Sequence, residues 1–446
     1  MRKKARGHSS NWLGNVQFDP AAIQTIETEE QIAEVIQKAI QQKQPIRVMG
    51  SGHSFSPLIA TSGILMNLEG LTGVIELNPI KKEATVWGGT HLHQLGDQLY
   101  QRGFAMENLG DIDLQTIAGA VSTGTHGTGL RFGSISTQVR GLELWNGVGE
   151  RIEINADKNA DLLDAARVSL GALGVLSRVK LKVESRYVLE MKQTKESLPS
   201  ILSGLSGDLK NERNFEFFWF PHTETALVKR SRRSQHPPLK PGLGQKFNDV
   251  VLENYALGAL SGLCRWVPAI APQISAFCAV AAGDNYRRDW SHRVFATERS
   301  VKFIEMEYAV PMQKFATVVD EIQSEIRRGK HRVHFPIECR FVQGDSVWLS
   351  PAYQRDSALI AIHMYQGMPY QGYFDAIEKI FRKHEGRPHW GKCHSLSVQE
   401  LRDLYPRWDA FQHLRMEMDP HGLFETEYLK TILGRNRPLV ALKKSA

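Results

Sequence analysis

The chain has 446 residues, 42% of them hydrophobic and 23% charged, with 55 Lys and Arg against 48 Asp and Glu for a net charge of +7. This length favours two domains over a single core, and no run of about 18 apolar residues is present to cross a bilayer as a helix. The positive excess forms no stripe interleaved with aromatics: its densest cluster, KRSRRSQHPPLK (229–240), leads into a Pro/Gly-rich loop, so nucleic acid is not an expected partner.

The basic start, MRKKARGHSSNWLGNVQF, lacks the apolar stretch of a secretory leader. Cys264, Cys278, Cys339 and Cys393 have no CxxC spacing. They read as reduced thiols of a cytoplasmic protein, not as a disulfide framework or a metal site. The first predicted helix follows Thr28, which forms a capping-box pattern with Gln31; Ile32, Val35, Ile36, Ala39 and Ile40 line one face. Pro45 closes that unit. IRVMG then reads as a strand, followed by the short strands GILMNL, GVIEL and EATVWGG. THLHQLGDQLYQRG reads as a helix ended by Gly103. VRGLELWNG, RIEIN and GVLSRVKLKVES are further strands, the last preceded by a predicted helix, DLLDAARVSLGALG. No GxGxxG follows the first strand, so a Rossmann domain is not expected.

The composition changes after about residue 187. Residues 234–248 are rich in Pro and Gly, and residues 250–282 are apolar but broken by Pro268 and Pro272. The latter read as a pair of buried helices or as a membrane-surface patch. RVHFPIECRFV, SVWLS and ALIAIHMYQ alternate in the manner of antiparallel strands. The expectation is an α+β chain of two domains: residues 1–185, residues 186–394 with a helical insert at about 245–285, and a segment 395–446 returning to the first.

Two small-residue loops stand out. GSGHS (50–54) follows a strand, and TIAGAVSTGTHGTG (116–129) carries four glycines among hydroxyl side chains. Either loop alone is an ordinary turn; together they suit a diphosphate ligand held from both sides. In IECR, Glu338 and Arg340 fall on one face of a strand. Spacing alone leaves open a cross-strand salt bridge.

RVMGSGHSFSP, NLGDIDLQTIAGAVSTGTHGTG and GALGVLSRVKLKV, with NWLGNVQF before them and HWGK and MDPHGLFETEYL after, occur in an order that resembles the sugar-1,4-lactone and alditol oxidases. These are FAD enzymes of the vanillyl-alcohol-oxidase type. The resemblance implies FAD bonded covalently through His53 at the flavin 8α-methyl carbon. No cysteine precedes Cys264, so a second, cysteinyl tether is not expected. It places Val48, Met49, Gly50, Ser51, Gly52, Ser54, Gly110, Asp111, Thr116, Gly119, Thr123, Gly124, Thr125, His126 and Val175 against the cofactor. Gly110 would lie at the flavin edge that governs O2 access. Glu338, Arg340, Lys392 and His363 would form the substrate side. Cations there would stabilise the charge that develops on hydride transfer, and His363 would take part in proton transfer.

The implied reaction is oxidation of a hydroxyl of an aldono-1,4-lactone with O2 as acceptor. SHRVFATERSVKFIEMEYAVP (291–311) is more similar to the lactone oxidases than to the alditol oxidases. Polyol oxidation, or a dehydrogenase passing electrons to a quinone or cytochrome, are the alternatives within the fold. A non-catalytic protein that touches membrane through 250–282 is the alternative outside it.

Overall fold

The computed structural model describes residues 9–239, 257–296 and 301–436. The helix Glu29–Gln42 begins at the Thr28–Gln31 capping box and ends at Lys43, which adopts a left-handed conformation. It buries Ile32, Val35, Ile36 and Ala39 with a three-stranded parallel sheet ordered Ala22–Thr25, Ile64–Asn67, Ile46–Val48. A second, antiparallel sheet runs Arg151–Asn155, Val139–Trp145, Val175–Ser185, Glu83–Trp87, Val74–Asn78, with Phe104–Met106 on the far end of its central strand. That central strand alternates buried and half-buried residues along VLSRVKLKV, the period of a strand covered mainly on one face.

The middle of the chain forms an eight-stranded antiparallel sheet. Its order is Asn285–Trp290, Val188–Ser197, Thr225–Ser234, Asn214–Trp219, Ile337–Val342, Ser357–Tyr365, Phe303–Pro311, Arg387–Pro388. Helix Phe315–Gly329 buries Phe315, Val318, Val319, Ile322 and Ile326, a stripe at helical spacing. One cluster of buried side chains reaches from Val179 and Leu181 of the first domain's antiparallel sheet to Phe217 and Phe341 of the large sheet. After the helices Val398–Leu404 and Trp408–Met418, the chain passes beside the first helix. Leu423 and Phe424 join Ile32, Ile46 and Val175, and Ile46 N–H donates to the Leu423 carbonyl at 2.7 Å.

Three segments differ from the sequence expectation. The small-residue stretch 116–129 contains a helix, Ile117–Thr123, capped by Thr116 Oγ1 accepting from Gly119 N–H and closed by Gly124 at φ 73°. The predicted helix at 161–174 shrinks to Leu163–Arg167, because Leu170 and Gly171 turn the chain through positive φ. SVWLS is a turn, not a strand: the Asp345 carboxylate accepts from Val347 N–H and Ser350 Oγ and folds the segment around itself. Of the apolar stretch 250–282, the helices Leu257–Trp266 and Ala271–Ala281 are present; residues 240–256, including much of the Pro/Gly-rich segment, lie outside the described residues.

Candidate active site

The two small-residue loops face each other across an open cleft of about 830 Å³. Val48, Met49, Gly50, Ser51, Gly52, His53 and Ser54 line one side, and Thr116, Gly119 and Thr123 the other. The approach is close: a Cβ on Gly50 would stand 2.2 Å from Thr116 Oγ1. Arg47 lies beneath, donating to the Leu170 and Gly171 carbonyls, with its Nε buried and without a hydrogen-bond partner among the described residues. A cleft built from backbone N–H groups, hydroxyls and one buried guanidinium fits an elongated diphosphate ligand such as FAD. Of the remaining residues assigned to the cofactor, Val175 is buried in the core behind the cleft, and Gly124 caps the helix Ile117–Thr123. Thr125 is buried, its hydroxyl accepting no partner among the described residues. Gly110 lies against the His126 carbonyl, and Asp111 and His126 face the large sheet, as described below.

His53 is held by parts of the chain far apart in sequence. Trp12 stacks on its ring with centroids 5.3 Å apart, and Trp12 N–H donates to the Gly52 carbonyl at 2.8 Å. Asn11 Nδ2 donates to the Ser54 carbonyl. Opposite, Phe55 N–H donates to the Gly391 carbonyl at 2.7 Å and Ser56 Oγ to the Trp390 carbonyl at 2.9 Å. These bonds bring the HWGK loop, and with it Lys392, beside His53. Burial, then the Lys392 and His91 charges, lower the His53 pKa to about 4. Its imidazole is therefore neutral, with a lone pair available for a bond to carbon.

The register of the large sheet collects the other groups. Glu216 stands opposite Arg340, Glu305 opposite His363, and Ala361 opposite both Glu338 and Glu307. Paired residues project to one face, so these side chains share the face turned to the cleft-bearing domain. Arg340 donates from Nε to Glu216 at 2.9 Å, meets Asp111 at 3.0 Å and pairs with Glu338. Burial would lower its pKa, but Asp111, Glu338 and Glu216 outweigh burial and hold the guanidinium charged. Lys392 pairs with Glu305 and lies 5.1 Å from the Phe55 ring centroid. Burial raises the Glu305 carboxyl, but the Lys392 charge and the His363 contact win and hold it down to about 2. His363 Nδ1 donates to the Pro336 carbonyl at 3.1 Å, and its Nε2 lies 3.6 Å from Glu305, too far for a hydrogen bond. Asp111, assigned from sequence to the cofactor, is thus an ion-pair partner of Arg340.

A third group sits alongside. His126 Nε2 is 3.1 Å from Glu307 and its Nδ1 is 2.8 Å from the Gly127 carbonyl. Both ring nitrogens face oxygens that only accept, an arrangement satisfied when both carry protons. Burial raises the Glu307 carboxyl, yet His126 holds it well below the usual range. His389 completes a set whose potential ligand atoms lie within 4.8 Å of one another. Its Nδ1 already accepts from Gly391 N–H at 3.1 Å, and burial lowers its pKa to about 3. His126 and Glu307 are engaged with each other and His389 Nδ1 with the Gly391 N–H, so these residues form a buried ion pair with a neutral neighbour. Glu216, Glu305 and Glu307 were missed in the sequence. Their signal was present: carboxylates within the otherwise apolar strands NFEFFW and FIEMEYAVP, where a buried acid requires a partner.

Residues 20–155 match an FAD-binding domain family, and residues 179–432 match the family described as D-arabinono-1,4-lactone oxidase. The chain belongs to the D-arabinono-1,4-lactone oxidase family. It is 39% identical over 428 residues to the L-gulono-1,4-lactone dehydrogenase of Mycobacterium tuberculosis, covering 95% of this chain and 99% of the relative. It is 32% identical over 422 residues to the L-gulonolactone oxidase of Bos taurus, covering 93% and 94%. Solved structures share the fold at 17% identity. A solvent-stable cholesterol oxidase aligns over 96% of this chain and 97% of its own at a TM-score of 0.81. The cholesterol oxidase of Brevibacterium sterolicum aligns over 96% of each chain at 0.78. As a member of the D-arabinono-1,4-lactone oxidase family, the protein is an FAD-dependent oxidoreductase acting on sugar lactones, with the two-domain fold of the vanillyl-alcohol-oxidase type. No helix among the described residues is long and apolar enough to cross a membrane.

Proposed function

We propose that the protein oxidises a hydroxyl group of an aldono-1,4-lactone of the D-arabinono or L-gulono type, with FAD joined through His53 and O2 as the final acceptor. The observation that carries this reading is the convergence of His53 and Lys392 with the Glu338, Arg340 and His363 face of the large sheet. FAD, when bound, supplies the hydride acceptor. The chain's own groups do the rest. Glu338 accepts hydrogen bonds from substrate hydroxyls, its orientation fixed by Arg340. His363, with Nδ1 donating to Pro336, presents Nε2 to receive the hydroxyl proton. Glu305 lies close enough to stabilise the imidazolium that results. Lys392 spends one of its three donors on Glu305, which leaves two for the substrate and the cofactor. Carboxylates surround both cations, so stabilisation of developing negative charge comes from aimed N–H groups and not from a surplus of positive charge.

The acceptor has a second reading, favoured by the name of the mycobacterial relative: a dehydrogenase using a quinone or cytochrome. A panel of aldonolactones and alditols, scored by anaerobic flavin bleaching, tests the substrate. Bleaching by alditols alone would overturn the lactone assignment. Subsequent admission of air tests the acceptor: prompt reoxidation with hydrogen peroxide supports O2, and an enzyme that stays reduced until a quinone is added overturns it.

A further inference from the structure

The helices Leu257–Trp266 and Ala271–Ala281 form a hairpin that is secured on one face and bare on the other. On the secured face, Ser261 Oγ meets His334 Nε2 at 2.8 Å, Ser275 Oγ donates to the Pro221 carbonyl at 2.6 Å, and Cys264, Ala271 and Ala279 are buried. Lys195 Nζ donates to the Val280 carbonyl near the end of the second helix. On the bare face Trp266 is 86% exposed, Val280 77% and Phe277 58%, with Leu263 and Val267 beside them in the chain about half exposed. Five of the eleven exposed large hydrophobic side chains among the described residues thus fall within one hairpin. Single exposed apolar residues are ordinary; such a concentration marks a surface that meets something apolar.

The charges around it select the partner. Neither helix contains an acid, and the first carries Arg265 in its last turn. Lys195 borders the second, and the edge strand Asn285–Trp290 that follows carries Arg287 and Arg288 against Asp289. Asp284, the acid at the turn between them, is engaged by the Lys195 backbone N–H. An apolar face with tryptophan and phenylalanine, bordered by an excess of arginine and lysine on a chain of net charge +7, is complementary to an anionic lipid surface. We propose that this hairpin seats the folded protein on anionic membranes, with Trp266, Phe277 and Val280 entering the headgroup boundary. The attachment is peripheral and independent of the reaction.

The test is flotation of the holoprotein with vesicles of phosphatidylcholine alone and of phosphatidylcholine mixed with phosphatidylserine. The wild type should float with the mixed vesicles and much less with the neutral ones. Trp266→Ser combined with Phe277→Ser should reduce bound protein about tenfold or more, and Arg265→Glu should weaken binding to the mixed vesicles alone. Both variants change exposed side chains, so flavin content and thermal midpoint should match the wild type. A wild type that binds neither vesicle overturns the proposal, as does a double variant that floats equally well. So does a wild-type dimer that the double variant converts to monomer, since the face would then be a contact between copies of this chain.

Discussion

Lys392 pairs with Glu305 and remains charged because Glu305 and Glu307 outweigh the burial that would lower its pKa. Replacing it by Ala removes an aimed donor and leaves only Glu305 without its cation, so anaerobic flavin reduction should slow by about 10²-fold or more, followed by stopped-flow bleaching. Arg340→Ala is a harsher change. It leaves Asp111, Glu216 and Glu338 without their shared cation, and the loss of one partner from a buried pair costs about 3–5 kcal/mol. Slow reduction of that variant is informative only beside its urea midpoint, whereas a Lys392→Ala enzyme that bleaches at the wild-type rate would remove Lys392 from the mechanism. His53 makes a separate prediction. A neutral imidazole in the cleft should carry the flavin covalently, so acid-precipitated protein should stay yellow, and His53→Ala should yield a colourless pellet. A colourless wild-type pellet would exclude the bond. Gly110 is constrained in a way the sequence did not reveal. A Cβ there would stand 3.0 Å from the His126 carbonyl, so Gly110→Ala must displace the loop that carries the His126–Glu307 pair by a few tenths of an ångström. Reoxidation in air should slow while anaerobic reduction stays near the wild-type rate. Equal slowing of both steps would mean that the methyl acts through His126 and not on oxygen.

At the scale of elements, the cleft depends on how closely the His53 loop approaches the helix Ile117–Thr123. Thr116 both caps that helix and occupies the space a Gly50 side chain would need. Gly50→Ala should therefore force the two walls apart and lower flavin retention and thermal stability. Thr116→Ala alone should cost about 1 kcal/mol as a lost cap. Combined, the second change makes room for the first, so the double variant should be more stable than the sum of the single effects by about 1 kcal/mol. Strict additivity in thermal or urea unfolding would show that the walls are not in contact. The same helix shows where sequence reasoning reaches its limit. Its capping Thr116 and terminating Gly124 are readable signals, but IAGAVST has weak helical propensity and reads as a loop. Glu29–Gln42 was legible because its apolar period, capping box and closing Pro45 agree. The common face of Glu338 and Arg340 follows from strand alternation within one segment. Their partners do not: Glu216 lies 124 residues from Arg340, and only the register of the sheet brings the two together.

Across the whole molecule, the domains are joined through buried charge. His126 from the cleft domain pairs with Glu307 of the large sheet, Asp111 with Arg340, and Asn214 Nδ2 donates to Asn108 and to the Thr128 carbonyl. The hydrophobic cluster is continuous across the same junction. Acid should therefore act on the junction. Glu305 and Glu307 are both held below their ordinary value of 4.5 in the folded state, Glu305 down to about 2. A carboxyl depressed on folding contributes stability that is complete above its unfolded pKa and is lost as pH falls through that value toward the folded one. The wild type should begin to lose unfolding free energy as pH falls below about 6.5, where buried neutral imidazoles such as His53 and His389 take up protons in the unfolded chain first, and should lose it more steeply below about pH 5 as the carboxyls add their share. Glu307→Gln should be less stable at neutral pH by about 3 kcal/mol, because His126 loses its buried partner. Its acid limb should be shallower, since one of the depressed carboxyls is gone, and the two curves should converge as pH falls from 4.5. Urea titrations from pH 7 to pH 3 for both proteins decide the matter: a constant difference between the curves would mean that Glu307 ionises alike in the folded and unfolded chains, and that the His126 pair does not hold the domains together.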